Sequence, residues 1–125
     1  VKRDDDVIAA RQHMRLVAQG LGFRLVEETK LVTVVSELAR NMLVYGGGGI
    51  VTIDKVSSSF AVGVKAVFAD QGPGIADVEL ALSDGFSTGN SLGLGLPGSK
   101  RMMHEFGIES ELGKGTRVVV THWKR

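Results

Sequence analysis

Apolar residues recur at helical spacing from the start of the chain. Val7, Ala10, Met14, Val17 and Leu21 fall on one side of a 3.6-residue period, and Gly22 follows as a terminator. Asp4, Asp5 and Asp6 stand ahead of this run, where carboxylates cap a helix and favour its positive end. A second helix is predicted from about Glu27 to Tyr45, ending in the four glycines Gly46 to Gly49. Its apolar face is broad: Leu31, Val34, Val35, Leu38, Ala39 and Met42. The period then changes. IVTIDKV (Ile50 to Val56) and FAVGVKAVFA (Phe60 to Ala69) read as strands joined by a serine turn, a hairpin. DQGPGI follows as a turn, DVELALSDG as a short helical pattern, and FSTGNS as a polar loop of small residues. LPGSKRMMHEF predicts a further helix, with Pro97 early and Gly107 just past its end. IESEL, the turn GKG and TRVVVTHW close the chain as a second hairpin. Because the strands pair as hairpins, an alternating parallel sheet is disfavoured. The expected architecture is an α+β (α/β) two-layer sandwich, a mostly antiparallel mixed sheet with three helices on one face.

The 125 residues match one ordinary domain, residues 1–125, and 43% hydrophobic content is enough for a real core. No apolar run is long enough to span a membrane. Val1 opens directly into KRDDD, so no signal peptide is visible, and the missing initiator Met suggests a trimmed N-terminus. Cysteine is absent, which excludes disulfides and thiolate metal sites and fits a reducing, cytoplasmic setting. A net charge of +1 is too balanced to argue for nucleic acid or a membrane surface as partner. Glycine is the outlier, at 17 residues against 2 prolines, and it clusters between strongly patterned segments.

Four of those clusters carry candidate chemistry. Gly93, Gly95 and Gly98 match G-x-G-x-x-G, but a dinucleotide fingerprint needs a strand directly before it and a βαβ unit after it. Here the preceding residues are polar and the chain ends in a hairpin. What survives is an anion site at a helix N-terminus, or a plain flexible loop. Asp70-Gln-Gly72-Pro-Gly74 follows an apolar strand. A carboxylate there can accept from an exocyclic amine such as that of adenine, with glycines letting a flat base lie on the main chain; the same residues also make an ordinary turn. In SELARN, Glu37 and Asn41 sit one helical turn apart at the polar edge of the apolar face. An amide oxygen can hold Mg²⁺ shared with substrate phosphates, and a carboxylate can accept a proton from an attacking hydroxyl; a solvated helix edge is the alternative. Gly113-Lys-Gly115-Thr116 enters the last strand, where Thr116 can offer its hydroxyl to a base or water, or simply follow a hairpin turn.

The order of these boxes, E-x-x-x-N on a helix, D-x-G-x-G after a strand, G-x-G before a helix and G-T before a strand, resembles the GHKL ATPase superfamily and its Bergerat nucleotide fold over nearly the whole chain. The wording SELARN, ADQGPGI, DGFST and GLGLPGSKR is most similar to its anti-sigma-factor serine/threonine kinase branch, and within that branch to the stressosome switch kinases. Histidine kinases of the superfamily commonly place Lys three residues after the Asn; here that position is Val44, and His13, His104 and His122 lie in no phosphoacceptor motif.

The resemblance implies an ATP- and Mg²⁺-dependent kinase. Glu37 would be the general base and Asn41 the Mg²⁺ ligand. Asp70 would bind the adenine amine, Gly72, Gly74 and Ile75 would line the base, and Thr116 would support it. Gly93, Leu94 and Gly95 would approach the phosphates. Ala76 to Ser91 would form a lid without Lys or Arg, leaving Lys100 and Arg40 as candidates to meet γ-phosphate charge, against ordinary surface solvation. Implied partners are STAS-domain proteins as substrates and the regulatory domain of a PP2C-type phosphatase, reached through a surface beside the cleft. Tyr45 and Arg40 are candidate contacts there, core packing being the alternative for Tyr45. Rival readings are a kinase that binds a sigma factor directly, a non-catalytic nucleotide-binding module, and an isolated histidine-kinase ATPase domain.

Overall fold

Both long helices begin and end where the local chemistry directs. In the computed structural model, which describes residues 2–72 and 95–124, α1 spans Asp4–Leu21 and α2 spans Leu25–Gly46. The N-cap of α1 is Arg3. Asp6 reaches back to accept the backbone N–H groups of Lys2 (2.7 Å) and Arg3 (3.0 Å), so the aspartates act from inside the first turn. Gly22 closes α1 in the left-handed region (φ 81°), as expected. Gly47 does the same for α2 (φ 73°), and the N–H of Gly48 is satisfied by the Met42 carbonyl at 3.0 Å.

Strands β1 (Gly49–Ser57), β2 (Val62–Asp70), β3 (Glu105–Glu111) and β4 (Gly115–Lys124) form one sheet in the order β1-β2-β4-β3. Every pairing among the described residues is antiparallel. The register stacks two apolar rows on one face, Val51–Phe68–Val118–Ile108 and Ile53–Ala66–Val120–Phe106. Helices α1 and α2 pack on each other and on this face, and α3 (Gly95–Met102) packs against α2. The predicted face of α2 is the core face: Leu31, Val34, Val35, Leu38, Ala39 and Met42 are all buried. Each such side chain contributes about 1.5–3 kcal/mol over exposure, so this face outweighs any cap or surface pair. Tyr45 is 49% exposed and lies outside the core.

The third helix is shorter than the sequence suggests. It ends at Met102, and Glu105 to Gly107 are extended, paired with Thr121, Val120 and Val119 of β4. Gly107 is thus a strand residue and not a helix terminator. Tertiary pairing decides the matter here. His104 Nδ1 accepts the Trp123 backbone N–H (2.9 Å), and Glu105 accepts the Trp123 indole N–H (2.6 Å), locking the segment to β4. The short pattern DVELALSDG lies outside the described residues.

His122, 2% exposed, occupies the end of the core face. Its ring stacks on His104 with centroids 3.9 Å apart, and lies 6.2 Å from that of Phe23. Its Nε2 donates to Glu27 at 3.2 Å. Burial depresses the His122 pKa, and the nearby His104 and Lys30 add to this, against the opposing pull of Glu27. For Glu27, burial works upward but is outweighed by the His122 hydrogen bond and the His122 and Lys30 charges, so its carboxyl is held low.

Since folding lowers the His122 pKa, the unfolded chain binds the extra proton. The neutral ring's contribution is fully present above the ordinary value of 6.5 and is lost as pH falls through the lower folded value. Thermal unfolding should therefore show stability falling as pH drops below about 6.5. His122→Phe, which keeps the stacked ring, should flatten that fall, whereas an unchanged pH profile would assign the acid sensitivity to other groups.

Candidate functional site

Asp70 is the last residue of β2, and its carboxylate is held by main chain. Oδ1 accepts the N–H of Gly72 (2.9 Å) and the N–H of Thr116 at the start of β4 (3.3 Å). Oδ2 has no hydrogen-bond partner among the described residues. One oxygen is spent on position, and among the described residues the other is left to accept a donor.

The glycines around it explain why no side chains stand in the way. A Cβ on Gly46, the last residue of α2, would sit 2.5 Å from Asp70 Cγ, and one on Gly72 would sit 2.6 Å from Gly46 Cα. A Cβ on Gly115 would strike the Asp70 carbonyl oxygen, and Gly115 also has φ +96°, a conformation other residues rarely adopt. The glycine run after Tyr45 is therefore more than a helix stop. It lets the end of α2 lie directly on the end of β2.

Asp70 and Thr116 line a cavity of about 850 Å³ together with Gly46 to Ile50, Gln71 and the β3–β4 hairpin. Lys2, Lys114 and Arg117 supply positive charge to its wall, and Glu109 and Glu111 negative charge. In the hairpin, Ser110 pairs with Thr116 across the strands, and their hydroxyls lie 2.8 Å apart. Ser110 carries no motif of its own. Its only sequence signal is the register: a turn at Leu112 to Lys114 puts residue 110 opposite residue 116.

Of the residues expected to act together, Asp70, Gly72 and Thr116 are joined by hydrogen bonds. Glu37 and Asn41 lie one turn apart on α2, both half-buried, and outside the described lining of the cavity. The Asn41 Oδ1 atom is buried and has no hydrogen-bond partner among the described residues; Glu37 Oε2 is buried as well. Gly95 is the first residue of α3, and Lys100 and Arg40 are exposed. Gly74, Ile75, Gly93, Leu94 and the expected lid, Ala76 to Ser91, lie outside the described residues.

Residues 26–125 match the family model described as histidine kinase-, DNA gyrase B- and HSP90-like ATPase. The chain belongs to this ATPase family. It is 46% identical over 120 residues to serine/threonine-protein kinase RsbT of Bacillus subtilis (strain 168), covering 96% of this chain and 90% of that protein. It is 31% identical to an anti-sigma F factor of Thermoanaerobacter sp. (strain X514), over 91% of this chain and 82% of that protein. Among solved structures, the mycobacterial sensor histidine kinase MprB matches with TM-score 0.59 at 21% identity, covering 78% of this chain and 72% of that one. The catalytic domain of histidine kinase ThkA matches with TM-score 0.56 at 22% identity, covering 78% and 68%. These structures show that the fold is that of the GHKL ATPases.

Gly115→Ala should destabilise the chain by at least about 2 kcal/mol, from backbone strain and displacement of Asp70. Denaturant unfolding measures this. A cost within about 0.5 kcal/mol, the range of an ordinary surface change, would show that the hairpin adjusts without disturbing Asp70.

Proposed function

We propose that this protein is a Mg²⁺- and ATP-dependent serine/threonine kinase of a partner-switching pathway, acting on STAS-domain proteins and, when released from them, activating a PP2C-type phosphatase. The observation that carries the nucleotide reading is the Asp70 carboxylate. Its Oδ1 accepts two backbone donors, while Oδ2 has no hydrogen-bond partner among the described residues, beside a cavity large enough for a nucleotide base. An exocyclic amine satisfies that oxygen, and Gly72 and Thr116 border the same place. The 46% identity to a serine/threonine kinase over nearly the whole chain supports phosphotransfer to a hydroxyl.

The residues present suit a phosphate-bound Mg²⁺. Asn41 Oδ1 is a buried carbonyl oxygen without a hydrogen bond among the described residues, which suits a hard cation. Among those residues no three His, Asp or Glu converge on one point, in keeping with an ion held mainly by phosphates and a single protein oxygen. When bound, Mg²⁺ would neutralise phosphate charge as the γ-phosphoryl group leaves. Glu37, one turn away, accepts the proton of the attacking serine or threonine hydroxyl. It lies half-buried, where a base is shielded from bulk water.

The partner surface is read from the outer side of α2. Val44 and Tyr45 are exposed near its C-terminal end, beyond the Glu37–Asn41 pair, and Arg40 is exposed between those two residues. An apolar Val44 suits contact with a protein better than contact with phosphate. No helix among the described residues is long and apolar enough to cross a membrane; the cytoplasmic setting is part of the proposal and is supported by the cysteine-free sequence. A second reading follows from the 31–35% identity to anti-sigma F factors, namely direct capture of a sigma factor.

Asp70→Asn should weaken ATP binding by about 1.5–3 kcal/mol, the value of a charge-assisted hydrogen bond, since the amide can still accept from Gly72 and Thr116 but turns a donor towards the base. Calorimetry on the folded variant with unchanged affinity would sink the adenine assignment. Glu37→Gln should bind ATP normally and lose roughly 10²–10⁴-fold in phosphotransfer, while Asn41→Ala should lose the Mg²⁺ dependence of binding itself. Transfer at the parent rate by Glu37→Gln would remove the general base.

Tyr45→Ala combined with Val44→Asp should weaken both partners without changing ATP affinity. In mixtures at saturating concentration, the STAS protein and the phosphatase domain should exclude each other on size exclusion. A stable ternary complex would show separate surfaces. Tight sigma-factor binding without STAS-dependent phosphotransfer would favour the second reading.

A further inference from the structure

We propose that Ser110 is a positioning residue that makes the base pocket selective for an amino-purine edge over an oxo-purine edge. The proposal rests on the nucleotide reading above and adds to it a residue outside the four motifs.

The argument is a proton count. A serine or threonine hydroxyl carries one proton and two lone pairs. Ser110 Oγ donates its proton to the Gly115 carbonyl at 3.1 Å. The proton between the Ser110 and Thr116 hydroxyls, 2.8 Å apart, is then Thr116's own. Thr116 thus donates back into the hairpin, and its hydroxyl keeps only lone pairs for a ligand. Its backbone N–H is also committed, to Asp70 Oδ1 at 3.3 Å. The remaining oxygen of that carboxylate, Oδ2, is likewise an acceptor.

Asp70, Ser110 and Thr116 line the same cavity. From these three residues the wall offers acceptors and no side-chain donor. A base whose edge carries an amine meets its complement there. A purine with a carbonyl oxygen at the position facing Asp70 Oδ2 and the Thr116 hydroxyl sets lone pairs against lone pairs there, and an unmatched polar contact in a closed site is where polar pockets discriminate most. Asp70 sets the sign of the edge that is accepted. Ser110 holds back the Thr116 hydroxyl proton, which could otherwise rotate towards a carbonyl oxygen of the base. Ser110 itself acts through Thr116. Gly115, whose carbonyl holds the serine proton, is the glycine that also packs on the Asp70 backbone, so the proton chain and the carboxylate share one support.

The test is binding of ATP and GTP, each with Mg²⁺, to the full chain by calorimetry. Ser110→Ala should lower the ATP-to-GTP affinity ratio about tenfold, the weight of one hydrogen bond changing sides, mainly through tighter GTP binding. Ser110→Thr, which keeps the hydroxyl, should retain the parent ratio. Thr116→Val should also lower the ratio, and adding Ser110→Ala to it should have no further effect, because the two act through one bond. A merely structural Ser110 would weaken both nucleotides together and leave the ratio alone. If Ser110→Ala does not fold, Thr116→Val and Ser110→Thr decide the matter: an unchanged ratio in the first, or a lost ratio in the second, overturns the role. A parent that binds ATP while Ser110→Ala keeps its ratio overturns the Ser110 role alone. A parent that binds neither nucleotide overturns the nucleotide reading and this role with it.

Discussion

A carboxylate can read a ligand only if it does not wander, and at Asp70 the immobilising force is main chain. Two N–H groups, one from the bend just after β2 and one from the start of β4, meet on one oxygen, 2.9 and 3.3 Å away. This needs the end of β2, the end of α2 and the start of β4 to approach within backbone contact, which only residues without a Cβ allow. Gly46, Gly72 and Gly115 are the three surfaces of that contact. Part of the glycine content that looks extravagant in the composition is used where three elements must touch.

Helix α2 serves two masters. Its inward face supplies much of the core, so its position and rotation are fixed by apolar burial. Glu37 and Asn41 ride on the edge of that face and inherit its rigidity. A buried amide oxygen without a hydrogen bond costs stability in the isolated chain. The fold tolerates that cost at Asn41 because the surrounding apolar contacts are many. The ion-binding role proposed for Asn41 would give that unpaired oxygen its partner.

Much of this was legible in the sequence because the signals were local. Gly22 and Gly47 end their helices in the left-handed conformation, and the α2 core face follows the 3.6-residue period residue by residue. The join of Asp70 to Thr116 was expected only through family resemblance, since 46 positions separate them and no local rule connects the two. The errors came where a local rule met a distant competitor. Gly107 after an apolar helical pattern looks like a C-cap, but β4 offers Val119 as a partner and the chain extends instead. Ser110 was invisible because a serine in a polar strand has no signature until its cross-strand neighbour is known. The glycine run read as a stop signal, and its second task, lying on Asp70, depends on contacts the period does not encode.

The continuity of α2 from Asn41 to Gly46 has one further consequence. Those six residues form an unbroken α-helical segment whose five steps span about 7.5 Å. It is a fixed spacer: one end carries the amide suited to a phosphate-bound ion, and the other abuts the carboxylate suited to the base. If Asn41 and Asp70 take the roles proposed for them, the span of the ligand is set by a count of helical residues. Adding or removing a single residue in that interval would change the length only slightly but turn the two ends about 100° relative to each other. On that reading the interval from 41 to 46 behaves as a gauge whose length and phase must be kept together.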